Sequence, residues 1–210
     1  LTACFDAFLL TQMPFIPRGK LKPDEKSGHA EDGFFPWEPG LDEFTDDALL
    51  DLRFLNEDIA GQNGFVQRDR DRFLLGDGTP VRFWAVNLNS EIAAMNRSSI
   101  DYMAKNLAKR GVNMVRFHSP MFDANNVDQL DKAKLDNLQY LIHSLKQEGI
   151  YTKISFYFPL WFNIRPEYGI EGYDTINNKR PFALLYFNDR MQEIYTSWLD
   201  ELLSTKSPYS

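Results

Sequence analysis

The sequence GVNMVRFH, at residues 111–118, has the pattern of a β-strand: it begins with a glycine, is mostly apolar, and has Arg116 and His118 near its end. Similar runs are VRFWAVN at residues 81–87 and GIYTKISFYF at residues 149–158. Helical patterns separate these runs, which begin roughly 30 to 40 residues apart. This alternation is typical of βα units in a parallel sheet or a (β/α)8 barrel. The sequence therefore predicts an α/β fold, namely a partial (β/α)8 (TIM) barrel with about the first three βα units.

The helical segments between the runs carry capping signals and one apolar face each. The first is predicted to begin at Ser98, with Asp101 as a capping-box partner, and to end at Gly111. The second is predicted over residues 131–148, and a third begins near Asn188. Helices with a single apolar face are typical of the outer layer of a barrel.

The region before the first run divides into two parts. Residues 1–52 are rich in proline and poorly periodic, so they are predicted to form an irregular N-terminal extension. Residues 64–67 and 72–75 resemble the arms of a β-hairpin that precedes the first barrel strand. Residues 53–210 are therefore assigned to the N-terminal half of a TIM-barrel domain.

The ends of the sequence indicate a piece of a longer protein. A (β/α)8 barrel typically needs about 250 residues, the chain has 210, and its first residue is Leu1 rather than methionine. The first four residues, LTAC, match the end of a lipoprotein signal. We therefore expect a secreted or cell-envelope location.

Composition excludes several classes of function. The net charge of −7 disfavours nucleic acid as a partner. No run of 18 apolar residues is present, so no membrane span is expected. With three histidines, one cysteine and no nucleotide-binding motif, we expect neither a metal site nor a cofactor.

Polar and aromatic side chains follow the predicted strands, where the active sites of βα barrels lie. Because strand residues alternate sides, Arg116 and His118 share a face. A partly buried arginine requires a carboxylate partner, and the nucleophile of a glycosidase is one such partner. Six residues are candidates for binding substrate or supporting the site: Asn87, Asn89, Arg116, His118, Tyr157 and Trp161.

The connection over residues 159–187 is far longer than a usual loop of about 4–6 residues. It contains Trp161, Tyr168, Asn177 and Asn178, a combination that suits sugar recognition. Aromatic rings stack on the apolar faces of pyranoses, while amides bind their hydroxyl groups. A carbohydrate is therefore the expected substrate.

Several of these motifs together resemble glycoside hydrolase family 5 and related clan A enzymes, the group that includes cellulases. Residues 82–88, RFWAVNL, are similar to the R-F-W-G-V-N first strand of that family. Residues 111–118 are similar to its second strand, G-(A/V)-N-x-V-R-x-H, and residues 135–151 to its L-D-x-L-x-x-L-K-x-x-G-I-Y passage. The resemblance covers about residues 53–210.

The resemblance implies a retaining hydrolase of β-linked poly- or oligosaccharides that uses two glutamates. In the family, these glutamates end strands 4 and 7, so no catalytic residue is expected within this chain. The resemblance assigns Arg116 to the arginine that supports the nucleophile. The family often has a histidine at the end of strand 3, and residues 155–158 contain none, which leaves the subfamily open.

Two alternatives remain beside the hydrolase. One is a non-catalytic carbohydrate-binding or structural barrel, and the other is a different barrel enzyme such as an aldolase or amidohydrolase. In every case we expect residues 1–210 alone to be inactive on β-glucan, mannan and xylan. Because a half barrel exposes an edge strand, we also expect the isolated chain to self-associate.

Overall fold

The computed structural model describes residues 3–5, 8–10, 41–173 and 179–209. The chain forms two compact units, Leu1–Asp46 and Asp47–Ser210. In the first unit, strands β1 (Ala3–Phe5) and β2 (Phe8–Leu10) form an antiparallel pair. No periodic pattern in the predicted irregular extension indicated this pair. Residues 1–2 of the proposed signal motif, and Asn177 and Asn178 of the long connection, lie outside the described residues.

In the second unit, a small antiparallel sheet precedes the parallel strands. Strands β3 (Gln67–Asp69), β4 (Arg72–Leu74) and β5 (Pro80–Val81) pair in that order. The predicted hairpin is present, with its second arm as expected, but its first arm lies at residues 67–69 rather than at 64–67. The prediction of one strand over residues 81–87 is wrong at its start, because Val81 pairs with Phe73 of the hairpin.

The side chain of Asn113 explains this break. Its Oδ1 accepts a hydrogen bond from the Trp84 backbone N–H at 2.7 Å, and its Nδ2 donates to the Arg82 carbonyl at 2.9 Å. These backbone groups are thus satisfied by one amide side chain rather than by a neighbouring strand. The parallel strand β6 consequently begins at Ala85 (Ala85–Leu88).

Three parallel strands form the centre of the unit. Strands β6, β7 (Met114–His118) and β8 (Tyr151–Ser155) are neighbours in that order, and both pairings are parallel. The predicted order and direction of the strands are confirmed. Over the described ranges the sheet remains open, so the structure shows a mixed α/β arrangement with small sheets and no closed barrel.

Helices connect and cover these strands. They are α1 (Ser90–Ala93), α2 (Arg97–Lys109), α3 (Lys132–Gln147), α4 (Leu184–Phe187) and α5 (Asp189–Ser204). Short 3₁₀ turns occur at Arg53–Leu55, Pro159–Trp161 and Pro166–Tyr168. None of the helices that the structure describes has the length and apolar character needed to cross a bilayer.

The helix boundaries follow their capping residues. Asp131 and Asn188 cap α3 and α5, as the predicted starts require. The prediction that Ser98 caps the first long helix is wrong. Asn96 does so instead, because its Oδ1 accepts from the Ser99 backbone N–H at 2.9 Å, and the Ser98 hydroxyl donates to the same oxygen at 2.8 Å.

The core lies on one side of the parallel sheet. Val115 and Phe117 are fully buried, and they belong to the same core as the apolar faces of α2 and α3. The alternate residues of β7, Met114, Arg116 and His118, are only partly buried. The strands therefore present one face to the helices and an opposite, open face that carries polar side chains.

Helix α5 holds the two loops that follow β7 and β8. Arg190 forms an ion pair with Asp128, with Nη1 at 2.7 Å from Oδ1, and its Nε donates to the Tyr168 carbonyl at 3.0 Å. The Ser197 hydroxyl donates to the Asp128 carbonyl at 2.7 Å. Asp128 belongs to the first loop and Tyr168 to the second, so one arginine connects both.

Candidate functional site

The strand register places four polar residues close together at the carboxyl end of the parallel sheet. Asn87 of β6 is paired with Arg116 of β7, and His118 of β7 is paired with Ser155 of β8. Paired residues of parallel strands lie on the same face of the sheet. All four side chains therefore occupy the open face, which the helices do not cover.

Hydrogen bonds join these side chains around the guanidinium group. Arg116 Nη1 donates to Asn87 Oδ1 at 3.3 Å, and Nη2 donates to Ser155 Oγ at 3.2 Å. Nη2 also lies 2.9 Å from His118 Nδ1. Because a guanidinium only donates, Nδ1 is the acceptor and the neutral ring carries its proton on Nε2. His118 is thereby available as a donor through Nε2.

Aromatic side chains border the cluster. The 3₁₀ turn Pro159–Trp161 places the Trp161 ring 4.4 Å from the His118 ring, centroid to centroid. Phe158 lies 5.6 Å from Trp161 and is 41% exposed. The cluster thus joins hydrogen-bonding groups to an apolar ring surface.

The expected carboxylate partner of Arg116 is not found in the part of the chain that the structure describes. Other arginines do have such partners there: Arg53 pairs with Asp51 at 2.5 Å and Arg190 with Asp128 at 2.7 Å. Around Arg116, by contrast, the recorded partners are an amide, an imidazole and a hydroxyl. These groups orient the positive charge without neutralising it.

The same environment controls the charge of His118. Burial lowers the pKa of His118 below its ordinary value of 6.5, and the positive charge of Arg116 lowers it further, while a hydrogen bond with Ser155 acts in the opposite direction. His118 is therefore neutral near pH 7, in agreement with an Nδ1 that accepts from Arg116.

This lowered pKa makes the stability of the chain depend on pH. An unfolded His118 binds a proton at a higher pH than the folded one, so the free energy of unfolding falls as the pH drops below about 6.5. We expect a smaller drop between about pH 7 and pH 5 in His118→Gln, measured by chemical denaturation. The carboxylates contribute equally to both proteins and cancel in the difference.

The Arg116→Met variant provides the control. Without the neighbouring charge, the pKa of His118 should move up toward its ordinary value, which the ring resonances report in an NMR titration. An unmodified chain in which His118 titrates at or above 6.5 would contradict the described arrangement.

Two of the six candidate residues lie away from the cluster. Asn89 caps α1, where its Oδ1 accepts from the Ile92 backbone N–H at 3.2 Å. Tyr157 packs against helix α5, with its ring 5.8 Å from Tyr195 and 6.1 Å from Trp198, and burial raises its pKa to about 12. The structure thus brings together Asn87, Arg116, His118 and Trp161, but neither Asn89 nor Tyr157.

Two members of the cluster were not among the predicted residues. Ser155 reaches Arg116 because β8 pairs with β7 in a register that sets it opposite His118. Phe158 belongs to the cluster because the chain after β8 brings its ring to 5.9 Å from the His118 ring. The sequence pattern places Ser155 inside the predicted strand at residues 149–158 rather than at its end, and the register that would select it cannot be read from one sequence.

Comparison with known proteins gives a distant structural likeness. Neither a scan against protein-family models nor a search of curated proteins found a match. Among solved structures, the chain is similar to an endo-1,4-beta-mannanase from Rhizomucor miehei, with a TM-score of 0.51 and 14% sequence identity. The likeness covers 70% of this chain and 43% of that chain, so the chain spans less than half of that protein's length. At this identity the likeness supports a shared fold and does not establish a shared activity.

Proposed function

We propose that this chain is part of a clan A glycoside hydrolase of the family 5 type, which acts on a β-linked poly- or oligosaccharide. The observation that carries the proposal is the cluster at the carboxyl end of the central parallel strand, where Arg116, His118 and Asn87 lie beside the Trp161 ring. The fold likeness to an endo-1,4-beta-mannanase supports it and suggests a β-1,4-linked mannan as the first substrate to test.

In this proposal each part of the cluster has a task. The Trp161 ring stacks on the apolar face of one sugar unit, and His118 Nε2 donates to a hydroxyl group. Arg116 holds the nucleophilic carboxylate of the intact enzyme. The catalytic glutamate pair implied by the family resemblance belongs to strands other than the three observed here, and a retaining pair stands about 5–5.5 Å apart.

A second candidate is a carbohydrate-binding barrel without catalysis. The observation behind it is that, within the described residues, the partners of Arg116 are an amide, an imidazole and a hydroxyl, which suffice to hold its side chain without a nucleophile. The two functions share the sugar-binding surface and differ in turnover. The test uses the natural full-length protein and measures the reducing ends that it releases from β-1,4-mannan. Release by the unmodified protein that is lost in Arg116→Met would support the hydrolase.

The sugar-binding surface can be tested on residues 1–210. We expect β-1,4-mannotetraose to bind, as measured by isothermal titration calorimetry. In Trp161→Ala the affinity should fall about tenfold, because an aromatic contact worth about 1.5 kcal/mol is lost.

The matched control is Trp84→Ala. Trp84 is 68% exposed and precedes β6 at the opposite, amino end of the sheet, so its removal should leave binding unchanged. Equal affinities of Trp161→Ala and the unmodified chain would count against the proposed surface. The same holds if Trp84→Ala weakens binding as much as Trp161→Ala does.

A further inference from the structure

Ser155 contacts both of the charged or ring-bearing polar side chains at the end of β7. Its Oγ lies 3.0 Å from His118 Nδ1 and 3.2 Å from Arg116 Nη2. Since Nη2 also lies 2.9 Å from Nδ1, the three atoms form a closed triangle of hydrogen-bonding contacts. Arg116 and His118 belong to β7, whereas Ser155 ends β8, so the serine completes the triangle from the neighbouring strand.

The hydrogens of the triangle follow from what each group can donate and accept. Both hydrogens on Arg116 Nη2 are donors, and they are directed at His118 Nδ1 and at the Ser155 oxygen. Nδ1 carries no proton, so the Ser155 hydroxyl donates to it from the second strand. An imidazole that turned over, or that took the other tautomer, would set a hydrogen of its own against these donors. The triangle therefore allows one orientation of the ring.

The backbone and an aromatic ring hold the triangle in place. Ser155 pairs in register with His118, and its carbonyl accepts a hydrogen bond from the Ser119 backbone N–H at 3.2 Å. The Trp161 ring lies 4.4 Å from the imidazole, centroid to centroid. The imidazole is thus held at its Nδ1 edge and beside Trp161, so its Nε2 edge is directed away from the triangle.

The triangle is compatible with the task that the proposed function gives to Arg116. A guanidinium has five N–H donors. Within the described residues, the recorded hydrogen bonds to Asn87, His118 and Ser155 use three of them, so two remain for the carboxylate of a nucleophile. Ser155 therefore orients the guanidinium without taking the place of the carboxylate.

We propose that Ser155 is a positioning residue of the sugar-binding surface: its hydroxyl holds the His118 imidazole so that Nε2–H points at a hydroxyl group of the substrate. The inference rests on the proposed function, which assigns this donor to the sugar, and it adds the residue that directs the donor. Ser155 itself acts through His118 and does not touch the sugar. A serine that served only the stability of the strand would influence neither the tautomer of His118 nor the affinity for a sugar.

The tautomer of His118 tests this role without any ligand. Long-range proton–nitrogen NMR spectra of residues 1–210 at neutral pH distinguish a protonated from an unprotonated ring nitrogen. We expect a single Nε2–H tautomer in the unmodified chain and a mixture of both in Ser155→Ala, because two of the three contacts of the triangle are lost. Ser155→Thr keeps the hydroxyl and should keep the single tautomer.

The affinity for β-1,4-mannotetraose, measured by calorimetry, tests the consequence for the sugar. In Ser155→Ala the affinity should fall about fivefold, the equivalent of one hydrogen bond, and in Ser155→Thr it should be retained. Ser119→Ala is the matched control and should bind normally, because Ser119 follows His118 but its hydroxyl donates to Ser90 Oγ at 2.7 Å. In the His118→Gln background, Ser155→Ala should cause no further loss, since the serine acts through the imidazole.

A second variant covers a failure of Ser155→Ala to fold, as judged by circular dichroism. Ser155→Cys fills a similar space with a weak donor, so it should show the same mixture of tautomers and the same loss of affinity.

The outcomes separate the inference from the proposed function. If Ser155→Ala keeps the single tautomer, or binds mannotetraose as well as the unmodified chain while Trp161→Ala binds it more weakly, the inference is overturned and the proposed function stands. A loss of affinity that is equally large in the His118→Gln background also overturns the inference. If the unmodified chain does not bind mannotetraose but Ser155→Ala mixes the tautomers, the positioning of His118 by Ser155 is supported and the sugar-binding surface of the proposed function is contradicted.

Discussion

Replacing Trp198 by alanine should remove about 3–5 kcal/mol of the free energy of unfolding, which is a large part of the total of a typical domain. The Trp198 ring is fully buried and stacks on Phe122 at 5.3 Å. Its indole N–H donates to the Val127 carbonyl at 2.6 Å. Truncation therefore leaves a cavity in the core and also a buried carbonyl without its donor.

Chemical denaturation followed by circular dichroism measures this loss. Trp84→Ala is the matched control, because Trp84 is 68% exposed and its removal creates no cavity. Trp198→Phe keeps a ring but no donor, so its stability should fall between those of the alanine variant and the unmodified chain. Equal stability of Trp198→Ala and Trp84→Ala would show that α5 is not packed as described.

Replacing Gly149 by alanine should destabilise the chain by about 2–5 kcal/mol, the combined cost of a left-handed conformation and of overpacking. Gly149 follows α3 and has a φ of +70°. A Cβ at this position would lie 2.0 Å from the Glu57 carbonyl oxygen and 2.8 Å from the Asn56 Cβ. The Asn56 side chain donates to the Val112 carbonyl at 2.9 Å, so this segment is held in place.

Gly169→Ala separates the two contributions. Gly169 has a φ of +66°, and a Cβ there would meet nothing within 4 Å. Its replacement should therefore cost only the conformational part, about 1–2 kcal/mol. The free energy of unfolding of both alanine variants is measured by thermal and chemical unfolding. If both lose the same amount of stability, residues 56–57 do not approach Gly149 as closely as described.

Periodicity allowed much of the second unit to be predicted. The apolar stripe of α3 and its Asp131 cap are local features, and so is the alternation that buries Val115 and Phe117. The break between β5 and β6 is not local, because it depends on the Asn113 amide, which lies about 30 residues further along the chain. A side chain that takes the hydrogen bonds of a neighbouring strand, as Asn113 does here, cannot be recognised from a single sequence.

The site was predictable to the extent that it follows strand alternation. Arg116 and His118 share a face because they are two residues apart on one strand. Tyr157 does not follow this pattern, because β8 ends at Ser155 and the chain then turns toward α5. The capping role of Asn89 could have been anticipated, since asparagine is a favoured first residue before a helix.

The arginine that connects the two loops has a consequence for anyone who wishes to re-engineer either loop. Surface loops are commonly treated as modules that can be exchanged one at a time. Here the loop after β7 and the loop after β8 share Arg190 through Asp128 and the Tyr168 carbonyl. If either loop were transferred alone, Arg190 would lose its contact with the other loop. The two loops and the first turn of α5 should therefore be transferred together.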